Sequence, residues 1–107
     1  LFSFKSISMT ANYSEQILFT TKADSSLFFV GNEETPDAYL SFRHKDENNI
    51  IAEHTVVSES LRGQGIARKL ALKLIEYARE NNLKIIPACS YVVKFFERNS
   101  EFEDVLA

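Results

Sequence analysis

Three side chains of this chain carry reactive chemistry at informative positions: Glu53, His54 and Cys89. Imidazole gains and loses a proton near neutral pH without help from its surroundings, so His54 suits a general base. A carboxylate such as Glu53 does the same work where its environment favours the proton. Both lie in an apolar run, Ile50-Ile51-Ala52-Glu53-His54-Thr55-Val56-Val57, which reads as a strand. Neighbours on a strand point to opposite faces, so only one of the two is expected to face a given cleft. Cys89 is the only cysteine, and it precedes Ser90, which reads as the N-cap of a last helix. A helix start stabilises a thiolate, which equips Cys89 to move a proton or to attack as a nucleophile. Its plainer role is that of a small buried hydrophobe.

Between His54 and Cys89 the chain runs Arg62-Gly63-Gln64-Gly65-Ile66-Ala67-Arg68-Lys69, two glycines one residue apart at the start of a periodic segment. Bare N–H groups at a helix start form an anion site, and glycine lets a ligand approach the backbone closely. Arg68 and Lys69 sit in the first helical turn, where the helix dipole disfavours cations unless an anion lies nearby. A tight strand-to-helix turn with no ligand is the alternative for the glycines alone.

Those residues need a scaffold, and its elements are legible. Ile17–Lys22 and Leu27–Gly31 read as strands around an Ala23–Ser26 turn. Ala38–His44 alternates apolar and polar residues, and Ile50–Val57 follows a charged hairpin loop at Lys45–Asn49. Such short polar links favour antiparallel neighbours. Ile66, Leu70, Leu74 and Ala78 fall four apart, with Ala71 and Ile75 on the same face, which predicts a long amphipathic helix ending at Asn81-Asn82. Leu83–Ala88 reads as a strand parallel to the fourth, because a strand–helix–strand unit makes a right-handed crossover. Pro87 weakens its ladder, and a helix over Tyr91–Arg98 follows.

The bulk numbers fit one α+β domain. The chain has 107 residues, 45% hydrophobic and 25% charged, with a net charge of −3. That charge argues against bulk binding to nucleic acid or an anionic membrane, and no apolar run approaches a membrane span. A single cysteine points to a reducing, intracellular setting, cytoplasmic by preference. Residues 1–8 precede the only methionine, Met9, and read as an N-terminal extension ahead of a domain over 9–107.

The order of strands, then Arg62-Gly63-Gln64-Gly65-Ile66-Ala67, helix, strand and helix, resembles the GNAT superfamily of N-acetyltransferases. Its coenzyme motif is Gln/Arg-x-x-Gly-x-Gly/Ala; Gly63 and Gly65 match, and Ser60 departs at the first position. The compact single-domain GNAT group also carries His-Thr-x-Val and Pro-x-Cys segments, here His54-Thr55-Val56-Val57 and Pro87-Ala88-Cys89. The resemblance implies a bent, mostly antiparallel sheet of about five strands that splays between the fourth and fifth. It implies acetyl-CoA as cosubstrate, with no metal and with an amine as acceptor. The pantetheine would lie along Thr55, Val56 and Val57, with the Val56 N–H as oxyanion donor. The pyrophosphate would meet the backbone from Arg62 to Ala67, near Arg68 and Lys69. Larger members carry a tyrosine acid on the last helix, and Phe96 occupies that place here. Tyr91 reads as a packed aromatic and His44 as exposed and structural. The implied roles are His54 or Glu53 as base and Cys89 as proton shuttle or acyl acceptor. A coenzyme A-binding module with little catalysis is the alternative function.

Overall fold

The computed structural model describes residues 16–107, so the readings of residues 1–8 and Met9 lie outside the described residues. Five strands form one sheet in the order β1 (Leu18–Lys22), β2 (Ser25–Gly31), β3 (Pro36–His44), β4 (Asn49–Val57) and β5 (Lys84–Pro87). The first four are antiparallel neighbours and β5 runs parallel to β4. The long helix α1 (Ile66–Glu80) joins β4 to β5, and α2 (Ser90–Arg98) and a 3-10 turn (Ser100–Val105) close the chain. The α+β sheet-and-helix arrangement expected from the sequence is the one observed.

The alternation in β3 explains its placement. Ala38, Leu40 and Phe42 are fully buried on one face, opposite Phe28 and Val30 of β2 and Ala52 of β4 or adjacent to them. The α1 stripe, Ile66, Leu70, Ala71, Leu74, Ile75 and Ala78, lands on that face, and Val92, Phe95 and Phe96 of α2 join the same core. Both helices therefore cover one face of the sheet, called the helix face below. Phe19, Phe28, Phe42 and Tyr77 form an aromatic group at its β1 end, with Phe42 and Tyr77 rings 5.1 Å apart.

Several boundaries move by a residue or two. The first turn tightens to Ala23-Asp24, with Ala23 at φ 46°, so β2 begins at Ser25. Asn82 takes φ 55°, the left-handed conformation expected of the α1 stop. Ser90 is the first residue of α2 rather than its cap. Cys89 holds the N-cap position at φ −96° and ψ 137°, and its carbonyl accepts the Val93 N–H at 3.0 Å.

The closing 3-10 turn is tied to α1 by a two-pronged ion pair. Arg79 Nε and Nη2 donate to Asp104 at 2.9 and 2.7 Å, and the guanidinium lies 5.4 Å from the Phe102 ring centre. The Arg79 hydrogen bond holds the Asp104 carboxyl below its ordinary 3.8. A depressed carboxyl contributes stability above its unfolded value and loses it as pH falls through the folded one. The gap in urea midpoint between wild type and Asp104→Asn should therefore be small near neutrality, as for exposed pairs generally, and should close below pH 3.8. A gap that stays constant through acid would show the pair adds nothing linked to protonation.

Candidate functional site

The β4–β5 ladder is short. It runs from Asn49–Lys84 to Ala52–Pro87, and the Ala88 N–H makes one more bond to Ala52 O at 2.9 Å. Proline has no N–H to extend a ladder, and the chain turns into α2 directly after it. Beyond the bulge described next, His54 to Val57 of β4 stay paired with β3 but have no β5 partner. The two parallel strands part there, leaving one edge of β4 open beside Cys89.

A β-bulge sits at the same place. Phe42 of β3 pairs with Ala52, but the next residue back, Ser41, pairs with His54, so Glu53 is an extra residue in β4. This overturns the expectation that Glu53 and His54 face opposite ways. Ala52 faces the helices, and the Glu53 carboxylate lies on the other face, where it takes the Arg43 Nε–H at 2.5 Å. His54 shares that outer face because its partner is Ser41, between the inward Leu40 and Phe42. Thr55, opposite the buried Leu40, then points to the helix face. There the Cys89 thiol donates to Thr55 Oγ1 across the parted strands at 3.3 Å. His54 and Cys89 thus flank the opening from opposite faces of the sheet. Val56 returns to the outer face, 46% exposed.

The glycine loop lies at the far end of the open edge. A 3-10 turn over Glu59–Leu61 inserts Leu61 into the core and delivers the chain to Gly63 at φ 84° and Gly65 at φ 75°. L-residues are disfavoured in that left-handed region. A Cβ built on either glycine meets nothing within 4 Å, so the space beside this backbone is open and a side chain would fill it. Gly65 is the N-cap of α1 and supplies no side-chain cap, and the first turn holds no acid. The first amide to find a carbonyl inside the helix is Lys69, bonded to Gly65 O at 3.1 Å. Among the described residues the N–H groups of Gly63 to Arg68 have no partner, as an anion cradle requires.

Two details bear on the expected donor set. The Arg62 N–H is already bonded to Glu59 O at 3.3 Å, and its side-chain Nε donates to Val57 O at 3.2 Å. Arg62 therefore fastens the loop to the end of β4, and the run of free amides begins at Gly63. Lys69 borders a separate groove on α1 with Leu72, Lys73 and Phe102, away from the glycine cavity. Gln64 turns its amide back to Ser60 O at 3.5 Å.

A cavity of about 260 Å³ opens over the loop, lined by Val57, Gly63, Gly65, Ala67, Arg68 and Tyr91 among others. A second of about 190 Å³ adjoins it through Arg68 and Tyr91 and adds Lys94 and Arg98. Together they form a basic slot leading away from the open edge of β4. Arg68 is held there by Asn99 Oδ1 at 3.2 Å and by the Phe95 ring. Tyr91 was expected to be a packing residue; burial pushes its phenol above the ordinary 10.0, partly offset by Arg68 and Arg98. Lys94 and Arg98 escaped the sequence reading. Their spacing with Tyr91, three and seven residues on, marks one helical face, and that was the available signal. Phe96 is 6% exposed within the core, so the residue at the usual acid position has an ordinary packing role. His44 is exposed, with Tyr77 Oη 3.5 Å from its Nε2. Among the described residues no helix is long and apolar enough to cross a membrane.

Comparison with known proteins converges on one family. The family model described as GCN5-related N-acetyl-transferase matches residues 27–105. The chain is 31% identical over 62 residues to the protein NATD1 of Xenopus tropicalis, covering 58% of this chain and 57% of that one. It therefore spans little more than half the length of the curated relatives it matches. A GCN5-like protein of Staphylococcus aureus, solved in solution, superposes with a TM-score of 0.67 at 34% identity, over 86% of this chain and 89% of its own. A GNAT-family structure from Desulfovibrio desulfuricans shares the fold at TM-score 0.55 and 14% identity, over 70% of this chain and 54% of that one.

Proposed function

The chain belongs to the GCN5-related N-acetyl-transferase family, and from that premise we propose that it transfers an acyl group from acetyl-CoA to an amine. The observation that carries the reading is the row of unpartnered amides from Gly63 to Arg68 at one end of an open strand edge whose other end is the Cys89–Thr55 contact. A pyrophosphate matches the first, and an extended pantetheine matches an unpaired edge of β4. The basic slot past Arg68 and Arg98 suits the remaining phosphate.

Acetyl-CoA supplies an activated thioester; the chain's residues supply position and protons. An alkylammonium, with a pKa near 10.4, must first lose a proton to attack. His54 is placed to take it, because its exposed side chain lies on the outer face beside the opening. Glu53 is less suited, since its carboxylate is engaged by Arg43. The resemblance to the family offers a backbone N–H of β4 beyond Ala52, at Val56 by the family pattern, as oxyanion donor, on a stretch that has no β5 partner. As the new C–N bond forms and the C–S bond breaks, Cys89 can give its thiol proton to the leaving sulfur and regain one from solvent. Amine and coenzyme then approach from opposite faces and meet at the gap.

A titration calorimeter with coenzyme A, followed by acetyl-CoA turnover over small amines, polyamines and lysine peptides, tests the reading. Absence of binding removes it. Binding without turnover leaves the second reading, a coenzyme A-binding module, which the hydroxyl-free, buried Phe96 favours. Cys89→Ala should lower kcat at least about tenfold while coenzyme affinity holds. Unchanged kcat would remove the thiol from the mechanism. Intact mass after acetyl-CoA without acceptor separates direct transfer from an acyl-Cys89 intermediate.

A further inference from the structure

Ser41 stands apart from the other buried polar residue of the sheet. It lies within β3 and is 6% exposed. Its Oγ is buried, and among the described residues it has no hydrogen-bond partner. Ser26 is buried to the same degree, but its hydroxyl lies 3.3 Å from Thr21 Oγ1 and shares a hydrogen bond with it. A buried hydroxyl without a partner costs free energy, so its presence at a site that alanine could fill calls for a reason. The ladder determines what this hydroxyl faces. Ser41 points to the outer face, between the inward Leu40 and Phe42. Directly opposite it stand Leu27 of β2 and His54 of β4. His54 takes that place because Glu53 is bulged; in a regular ladder continuing from Phe42–Ala52 the carboxylate of Glu53 would stand there instead.

Opposed side chains on one face of an antiparallel pair have Cβ atoms about 4.5–5.5 Å apart, and diagonal neighbours stand about 7–8 Å away. A short serine side chain therefore reaches its direct partners, and Leu27 offers no polar atom. The polar groups further off are otherwise placed: Arg43 and Glu53 hold each other, and Tyr39 lies two residues along the same strand. The His54 side chain is exposed, so its ring can turn over the ladder and bring Nδ1 to the hydroxyl. We propose that Ser41 is a positioning residue for His54: its Oγ accepts the Nδ1–H, which fixes the ring and leaves the Nε2 lone pair to collect a proton from the incoming amine. A neutral imidazole carries its proton on one nitrogen, and the hydrogen bond that nitrogen makes decides which one. Once His54 has taken the amine's proton both ring nitrogens are donors, so Ser41 still accepts, now in a charge-assisted bond. The catalytic consequence rests on the function proposed above; the state of the ring does not.

The test uses the full isotope-labelled chain as wild type, Ser41→Ala and Ser41→Thr, read by imidazole nitrogen NMR and by acetyl-CoA turnover. With both histidines neutral, the ring nitrogen shifts report which nitrogen holds the proton. Wild-type His54 should be mainly the Nδ1–H form. Ser41→Ala should return it to the Nε2–H form that free histidine prefers and should lower kcat about tenfold, with coenzyme A affinity unchanged. Its unfolding midpoint should hold or rise, because an unpaired hydroxyl leaves the interior. Ser41→Thr keeps the hydroxyl and should keep both the Nδ1–H form and most of the rate. His44, beside Tyr77, is the internal reference, and its ring should be the same in all three chains. A serine with only a structural role would change stability and leave the His54 ring as it was. An Nε2–H ring in the wild type overturns the proposal, as does a ring or a kcat that Ser41→Ala leaves unchanged, or Ser41→Thr behaving as Ser41→Ala does. If the wild-type chain turns over no amine, the proposed function fails, and the ring nitrogens still decide whether Ser41 positions His54.

Discussion

Replacing Gly65 by valine is expected to raise the dissociation constant for coenzyme A more than about 100-fold, roughly 2.7 kcal/mol, and to leave the chain folded. Two effects combine. Gly65 has φ 75°, where a β-branched residue is strained by about 1–2 kcal/mol, which loosens the start of α1. The larger effect is steric. The space beside Gly65 is empty for 4 Å around a built Cβ, and the branched side chain would occupy the volume in front of the free amides. Each charge-assisted hydrogen bond that a phosphate loses there is worth about 1.5–3 kcal/mol, so losing two accounts for the change. Gly31→Ala is the control. Gly31 has φ 95°, but it ends β2 and its added Cβ would meet Asp37 Oδ2 at 2.6 Å, away from the cavity. It should cost stability and spare affinity. Equal loss of affinity in both variants would mean that the glycines act through folding, and the loop would lose its role as the anion site.

His54→Gln is the second large effect. Glutamine keeps a polar side chain of similar reach but cannot collect a proton at neutral pH. Loss of a general base typically costs about 10²–10⁴ in rate, so kcat should fall at least about 100-fold. Coenzyme affinity should hold, because the ring lies on the outer face while the glycine loop and basic slot lie along the helices. The deficit should narrow as pH rises toward the acceptor's own pKa, about 10.4 for an alkylammonium, since more amine is then already deprotonated. Wild-type kcat in this variant, or a deficit that does not change with pH, removes His54 as the base.

Much of this architecture is written locally. The 3.6-residue spacing of Ile66, Leu70, Leu74 and Ala78 determines which face of α1 is buried, and all four are buried. The strict alternation of Ala38, Leu40 and Phe42 does the same for β3. Pro87 limits the β5 ladder because a missing N–H is a property of the residue itself. The glycine pair marks the loop for the same kind of reason, since only backbone without Cβ accepts those torsions easily.

What the sequence by itself determined, then, is every element whose cause lies within a few residues: strand, stripe, glycine turn and the order in which they come. The tertiary structure decided the relations between elements. The bulge at Glu53 is a property of how β4 pairs with β3, and no periodicity within β4 reveals it. It reversed the expected facing of His54 relative to Glu53. The Cys89–Thr55 contact joins residues 34 apart, and it exists only because the strands part beyond Ala52 and Pro87. Tyr91, Lys94 and Arg98 join Arg68 in one basic slot because two helices pack on the same face of the sheet. Local propensity acts within a segment, whereas register and packing are chosen by the partner across the gap. That is why the glycine loop was legible in the chain, and the relative placing of His54, Thr55 and Cys89 was not.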